Sequence, residues 1–143
     1  MEIIYKEQKC FSEAQLEQLF LSVGWASGRY PRRLAEGLRN SSRVISAWDG
    51  GELVGLVRSL DDGATVAFIH YLLVKPGYQK LCIGGTLLSR LLEAYREYLY
   101  AKIMPSDPKT IPFYEKFGFR TYDNYSAMVI TRLGSVPDTL PAQ

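Results

Sequence analysis

The chain has 143 residues, 47% of them hydrophobic and 13% aromatic, enough to pack one domain but short for several. Its formal net charge of +2 is too small to argue for nucleic acid as a partner. Two cysteines far apart, an N-terminus without a signal-peptide apolar core and no apolar run near the roughly 20 residues of a membrane span point to a cytoplasmic protein, without disulfide framework or membrane partner.

Residues 2–6 read as a first strand. Ser12 with Gln15 forms a capping-box pattern, and Leu16, Leu19, Phe20 and Val23 follow on one helical face until Gly24. A loop from Trp25 leads to Pro31, which suits the first position of a second helix carrying Leu34 and Leu38 inward. Residues 42–48, 53–60 and 64–74 read as a three-stranded meander, with turns at Asp49-Gly50 and Asp61-Asp62-Gly63. The last of these strands is apolar almost throughout, as a central strand should be.

Residues 74–88 run Val-Lys-Pro-Gly-Tyr-Gln-Lys-Leu-Cys-Ile-Gly-Gly-Thr-Leu-Leu. They place Gly84 and Gly85 at the start of a helix whose apolar stripe is Leu87, Leu88, Leu91, Leu92, Tyr95 and Leu99. A helix start offers unpaired N–H groups and a positive dipole end, which suits a phosphate or pyrophosphate. A Walker A loop is excluded because no lysine precedes Thr86, and the Gly-x-Gly-x-x-Gly dinucleotide pattern is absent. Beyond this helix, residues 100–104 read as a strand and 111–117 as a short helix ended by Gly118. Residues 119–122 and 127–131 read as final strands, and the tail at 133–143 as loose.

The pattern Gln79-x-x-Cys82-x-Gly84-Gly85, with Leu73-Val74-x-Pro76-x-Tyr78 before it, resembles the acetyl-CoA pyrophosphate loop of the GNAT superfamily of N-acetyltransferases. A second block, Phe113-Tyr114-Glu115-Lys116-Phe117-Gly118-Phe119, follows at the family's distance. The resemblance covers roughly residues 3–131 and implies one domain at 1–132. It implies an α/β (α+β) GNAT acyl-CoA N-acyltransferase fold: a central, mixed, mostly antiparallel sheet with a splayed strand pair, flanked by about four helices. The sequence departs from the family at Cys82, where the first loop glycine usually stands. A small side chain there is tolerated if it points away from the pyrophosphate; a reactive thiol at a helix start is the competing reading.

The resemblance implies acetyl transfer from acetyl-CoA to a primary amine by direct attack, with no metal. Cofactor contacts fall on Leu72, Leu73 and Val74 for the pantetheine arm, and on Gln79, Lys80, Leu81, Cys82, Ile83, Gly84, Gly85 and Thr86 for the pyrophosphate. Asp107 stands where the family often has an asparagine near the cofactor. Tyr114 takes the place of the general acid that protonates the departing thiolate. The strand glutamate that serves many relatives as base falls on Phe68. His70 shares a strand face with it by period 2, and some arylamine-type relatives resemble this arrangement. A packed core imidazole, or a proton lost to water, are the alternatives for His70. Acceptor contacts are expected from Trp25 and Tyr30, with Arg29, Arg32 and Arg33 beside them, and from Tyr71 on the opposite strand face. For the arginines a solvated helix start is the competing reading. Residues 23–25 with Leu34, Leu38 and Asn40-Ser41 resemble plastid and cyanobacterial relatives acting on arylalkylamines or other amines. A peptide or protein amine stays open as acceptor, as does a module that senses acetyl-CoA without turning it over. The late apolar strands offer a surface for a homodimer.

Overall fold

The computed structural model describes residues 2–142. The chain runs β1 (Ile3–Glu7), α1 (Glu13–Ser22), a 3-10 turn (Ala26–Arg29), α2 (Pro31–Arg39), β2 (Arg43–Asp49), β3 (Glu52–Asp61), β4 (Val66–Val74), α3 (Ile83–Glu93), β5 (Tyr100–Ile103), a second 3-10 turn (Pro108–Thr110) and α4 (Ile111–Glu115). The five strands form one sheet in the order β1-β2-β3-β4-β5. Its first four strands are antiparallel and β5 lies parallel to β4. This is the mixed, mostly antiparallel α/β architecture expected.

Local chemistry explains most boundaries. Ser12 accepts from the Gln15 N–H while the Gln15 side chain accepts from the Ser12 N–H, each at 3.1 Å, so the capping box forms as read. Pro31 opens α2, where its missing N–H costs no helical bond. Asp62 shapes the β3–β4 turn, its carboxylate accepting the N–H groups of Ala64, Thr65 and Val66.

Two apolar layers clasp the sheet. On one face Leu16, Leu19, Phe20, Leu34 and Leu38 of α1 and α2 pack on Val44, Leu56 and Leu73. On the other, Ile83, Leu87, Leu88 and Leu91 of α3 pack on Ile45, Val54, Val57 and Ile69. Each fully buried leucine here contributes roughly 1.5–3 kcal/mol of transfer free energy. Leu99 does not join the α3 stripe: the helix ends at Glu93 and Leu99 is 70% exposed. The turn after the helix lifts it off the sheet.

Two further expectations are corrected. Residues 119–122 and 127–131 form no strand; Phe119 packs part-buried against the α3 layer, while Tyr122, Met128, Val129 and Ile130 lie exposed. They have strand-like composition, but β5 is only four residues long and pairs with β4 alone among the described strands. The tail is tethered rather than loose. The Tyr30 hydroxyl donates to the Val136 carbonyl at 2.7 Å and accepts from the Gly134 N–H at 2.7 Å. Asp138 accepts from the Arg32 and Arg33 N–H groups at 3.1 and 3.0 Å. Tyr30, at the head of α2, gives no side-chain cap, so Asp138 caps that helix from more than a hundred residues away.

No helix among the described residues is long and apolar enough to cross a membrane. No group of three or more metal-ligating side chains occurs among them.

Candidate active site

Strands β4 and β5 pair only from Val66 opposite Tyr100 to Ile69 opposite Ile103. Strand β4 then continues to Val74 while β5 ends, so residues 70–74 present a free edge on that side. The loop that follows is built of turns, the Tyr78 N–H donating to the Lys75 carbonyl and the Leu81 N–H to that of Tyr78. The Gln79 amide ties it back to the Val74 carbonyl at 3.0 Å. Helix α3 begins directly beyond.

Cys82 is the N-cap of α3, with φ 60° and ψ 20°. This left-handed conformation favours glycine, and an L-residue there costs roughly 1–2 kcal/mol. The structure thus supplies a backbone reason for a glycine at this place, and Cys82 adopts the glycine's geometry. Its side chain is exposed and makes no capping bond. The Thr86 N–H is the first in the helix to find its partner, the Cys82 carbonyl, at 3.1 Å. The N–H groups of Ile83, Gly84 and Gly85 precede it and have no helical acceptor.

The two glycines are not demanded by the protein's own packing. A Cβ added at Gly84 would meet Phe113 at 3.7 Å and Val74 at 3.8 Å, and one at Gly85 would meet Phe117 at 3.6 Å. Those are ordinary contacts, and neither residue has a positive φ. Glycine in a helix costs about 1 kcal/mol relative to alanine, and the protein's own packing at these two positions does not call for it. Of the residues expected to contact a pyrophosphate, Ile83, Gly84 and Gly85 present backbone N–H groups without a helical acceptor. Ile83 can serve only by its N–H, because its side chain is fully buried. Lys80 and Leu81 are exposed on the loop, and the Thr86 hydroxyl donates back to the Cys82 carbonyl. Leu72 and Val74 face the α3 layer, and Leu73 is buried on the other side.

Tyr114 sits on α4, half-buried against the α3 layer, with Phe113 at 5.1 Å and Phe119 at 6.1 Å between ring centroids. Burial pushes its phenol pKa up, so the group is firmly protonated near neutrality. Its hydroxyl makes no hydrogen bond among the described residues and is free to donate. Asp107 has a local task instead: it caps the second 3-10 turn, accepting from the Lys109 N–H at 3.0 Å.

The face assignments on β4 differ from the period-2 expectation. Tyr71 has φ 56°, and the register with β3 slips between Leu56 opposite Leu73 and Arg58 opposite His70. Val57 therefore faces both Tyr71 and Leu72, and the extra residue turns Tyr71 to the same face as His70. The two rings stack at 3.8 Å. Tyr71 packs edge-on to Phe20 at 5.0 Å and against Trp25 at 6.4 Å. Trp25 thus backs Tyr71 within the α1/α2 layer rather than lining the cavity described next, and Tyr30 spends its hydroxyl on the tail.

Sequence reading overlooked Arg58. It is the one charged side chain within the mostly apolar stretch from Leu53 to Leu60, which was the available signal. Its Nη2 and Nε lie 2.8 and 3.3 Å from Nδ1 of His70. A guanidinium can only donate, so Nδ1 accepts and the neutral ring carries its proton on Nε2. Burial, with the Arg58 charge beside it, lowers the His70 pKa to about 4. Arg58 also lies 4.5 Å from the Tyr71 ring centre and donates toward Ser41 Oγ at 3.3 Å. A cavity of about 310 Å³ opens on this face, between α2 and the segment from Val129 to Val136, with Arg58 and Tyr71 lining it from the sheet.

The chain matches the Acetyltransferase (GNAT) family over residues 5–119. It is 30% identical over 123 residues to the uncharacterized N-acetyltransferase ycf52 of Pyropia yezoensis, a match covering 82% of this chain and 70% of that protein. It superposes with a TM-score of 0.77, at 30% identity, on a GNAT family acetyltransferase of Streptococcus pneumoniae TIGR4, covering 92% of this chain and 99% of the other. A probable acetyltransferase of meticillin-resistant Staphylococcus aureus gives a TM-score of 0.82 at 21% identity, covering 91% and 99%, a likeness of fold. With the mixed sheet, its parted strands and the glycine-bearing helix start, the chain belongs to the GNAT family of acetyltransferases.

Proposed function

We propose that the protein is an acetyl-CoA-dependent N-acetyltransferase that passes the acetyl group directly to a primary amine. The observation that carries this reading is the parting of β4 from β5 immediately before the uncrowded glycine start of α3. A free strand edge suits the amide-bearing pantetheine arm, and the unpaired N–H groups of Ile83, Gly84 and Gly85 suit the pyrophosphate. Acetyl-CoA supplies the activated acyl group as a thioester. The amine lone pair forms the new C–N bond and the C–S bond breaks. Tyr114 gives its proton to the leaving sulfur and regains one from solvent. The proton lost by the amine goes to water, because Nδ1 of His70 already accepts from Arg58. His70 then serves to hold Arg58 and Tyr71 in place.

The same hydrogen bond favours a second reading. A site without a free side-chain base also suits a module that binds acetyl-CoA and turns it over slowly or not at all. Calorimetric titration with acetyl-CoA, with ATP as the comparison, followed by thiol release in the presence of amines, separates the two. Micromolar binding with amine-dependent thiol release supports the transferase. Binding without release leaves the sensing module, and no binding removes both.

A further inference from the structure

The cavity on the α1/α2 face is lined by three arginines, Arg33, Arg58 and Arg132, and by no aspartate or glutamate. Asp138 accepts from the backbone N–H groups of Arg32 and Arg33, the Arg33 Nε donates to the neutral Pro137 carbonyl, and Glu36 pairs with Arg39. None of the ion pairs among the described residues includes any of the three. Arg58 is the most demanding case, because it is half-buried and its neighbours are neutral: His70, Ser41 Oγ, the Gly37 carbonyl and the Tyr71 face. Buried charges are ordinarily paired. The cavity lies across the sheet from α3, so the cofactor's pyrophosphate cannot supply the missing anion.

From this unanswered positive charge beside the β4 bulge, we infer that the acceptor is an amine carrying a carboxylate or phosphate, and that Arg58 with Arg33 binds that anion. Identifying the ligand as the acceptor rests on the transferase reading; the anion preference of the cavity does not. Arg58 spends Nε and one Nη2 hydrogen on His70 and points Nη1 at Gly37 and Ser41, which leaves its second Nη2 hydrogen for an anion, while Arg33 engages only Nε, with the Pro137 carbonyl, and keeps both Nη groups for charge-assisted bonds. Arg58 holds its position through His70, so the anion meets a guanidinium already oriented. Leu34, Val129 and Val136 make part of the wall apolar, which favours an organic body behind the anion over a bare inorganic ion.

The test is calorimetry with two matched pairs of probes, at low salt, on the protein alone and with CoA present. Phenylalanine is set against phenylethylamine for the carboxylate, and 2-aminoethyl phosphate against ethanolamine for the phosphate. At least one anionic probe should bind ten-fold or more tightly than its neutral partner, and the pair showing the gap names the anion. Arg58→Gln should abolish the gap, and Arg33→Gln, at the cavity rim, should narrow it even if the Arg58 variant folds poorly. Equal affinities within both pairs, a gap that survives both substitutions, or no binding of either anionic probe would overturn the inference. A parallel acetyl-CoA titration keeps the two ideas apart. Cofactor binding without a gap removes the anion site alone, and a gap without cofactor binding removes the transferase alone.

Discussion

Arg58 Nη2 lies 2.8 Å from Nδ1 of His70, and this contact decides what the chain's single histidine can do. Its folded pKa of about 4 stands below the ordinary 6.5. Between these values the unfolded chain binds a proton that the folded one refuses. Stability therefore falls as pH drops from 6.5 toward 4, by about 2 kcal/mol once partial exposure is discounted. Denaturant titrations across this window should show that slope, and His70→Gln should flatten it. The pH–rate profile should lack an ascending limb near 6.5; such a limb, lost in His70→Gln, would restore the imidazole as base.

Tyr114→Phe removes a hydroxyl that holds nothing else in place. Turnover should fall ten-fold or more, with acetyl-CoA affinity and melting temperature nearly unchanged. A variant as fast as the parent would take the acid role away from Tyr114.

Gly84→Ala should move stability and ligand affinity in opposite directions. The added methyl finds ordinary contacts at 3.7 Å and a better helix propensity, worth up to about 1 kcal/mol. With a pyrophosphate held at these N–H groups as proposed, the same methyl would hinder the close backbone approach, so acetyl-CoA should bind at least ten-fold more weakly. Unchanged affinity would dissociate the α3 start from the cofactor.

Cys82→Gly relieves an L-residue at φ 60°. It should stabilise the protein by about 1 kcal/mol and leave acetyl-CoA affinity equal or higher. Loss of affinity would show that the thiol itself contributes.

Asp138→Ala removes the distant cap of α2. The expected cost is about 1 kcal/mol, with faster proteolysis of the segment beyond Arg132. Unaltered protease sensitivity would mean that Tyr30 alone suffices as tether.

What the sequence disclosed was local or motif-borne. The capping box at Ser12, the meander with its two turns and the start of α3 depend on residues within a few positions of one another. The bulge at Tyr71 does not: it arises because Val57 of β3 opposes two residues of β4, a relation that period-2 reasoning along one strand cannot contain. That omission put Tyr71 on the wrong face and hid Arg58, whose partners are His70, Ser41 and Tyr71. The cap from Asp138 was illegible for the same reason. Strand-like composition misled at 127–131, because composition does not supply a partner strand.

The outer wall of the proposed acceptor cavity is spun from the stretch between Val129 and Val136, which pairs with no strand among the described residues. This stretch is separate in sequence from the sheet, α3 and the loop before it. If the cavity holds the acceptor as proposed, acceptor preference can drift by substitution or insertion in this stretch without altering the residues proposed for acyl transfer. Grafting the corresponding stretch of a relative onto this sheet is thus a route to redirecting the enzyme.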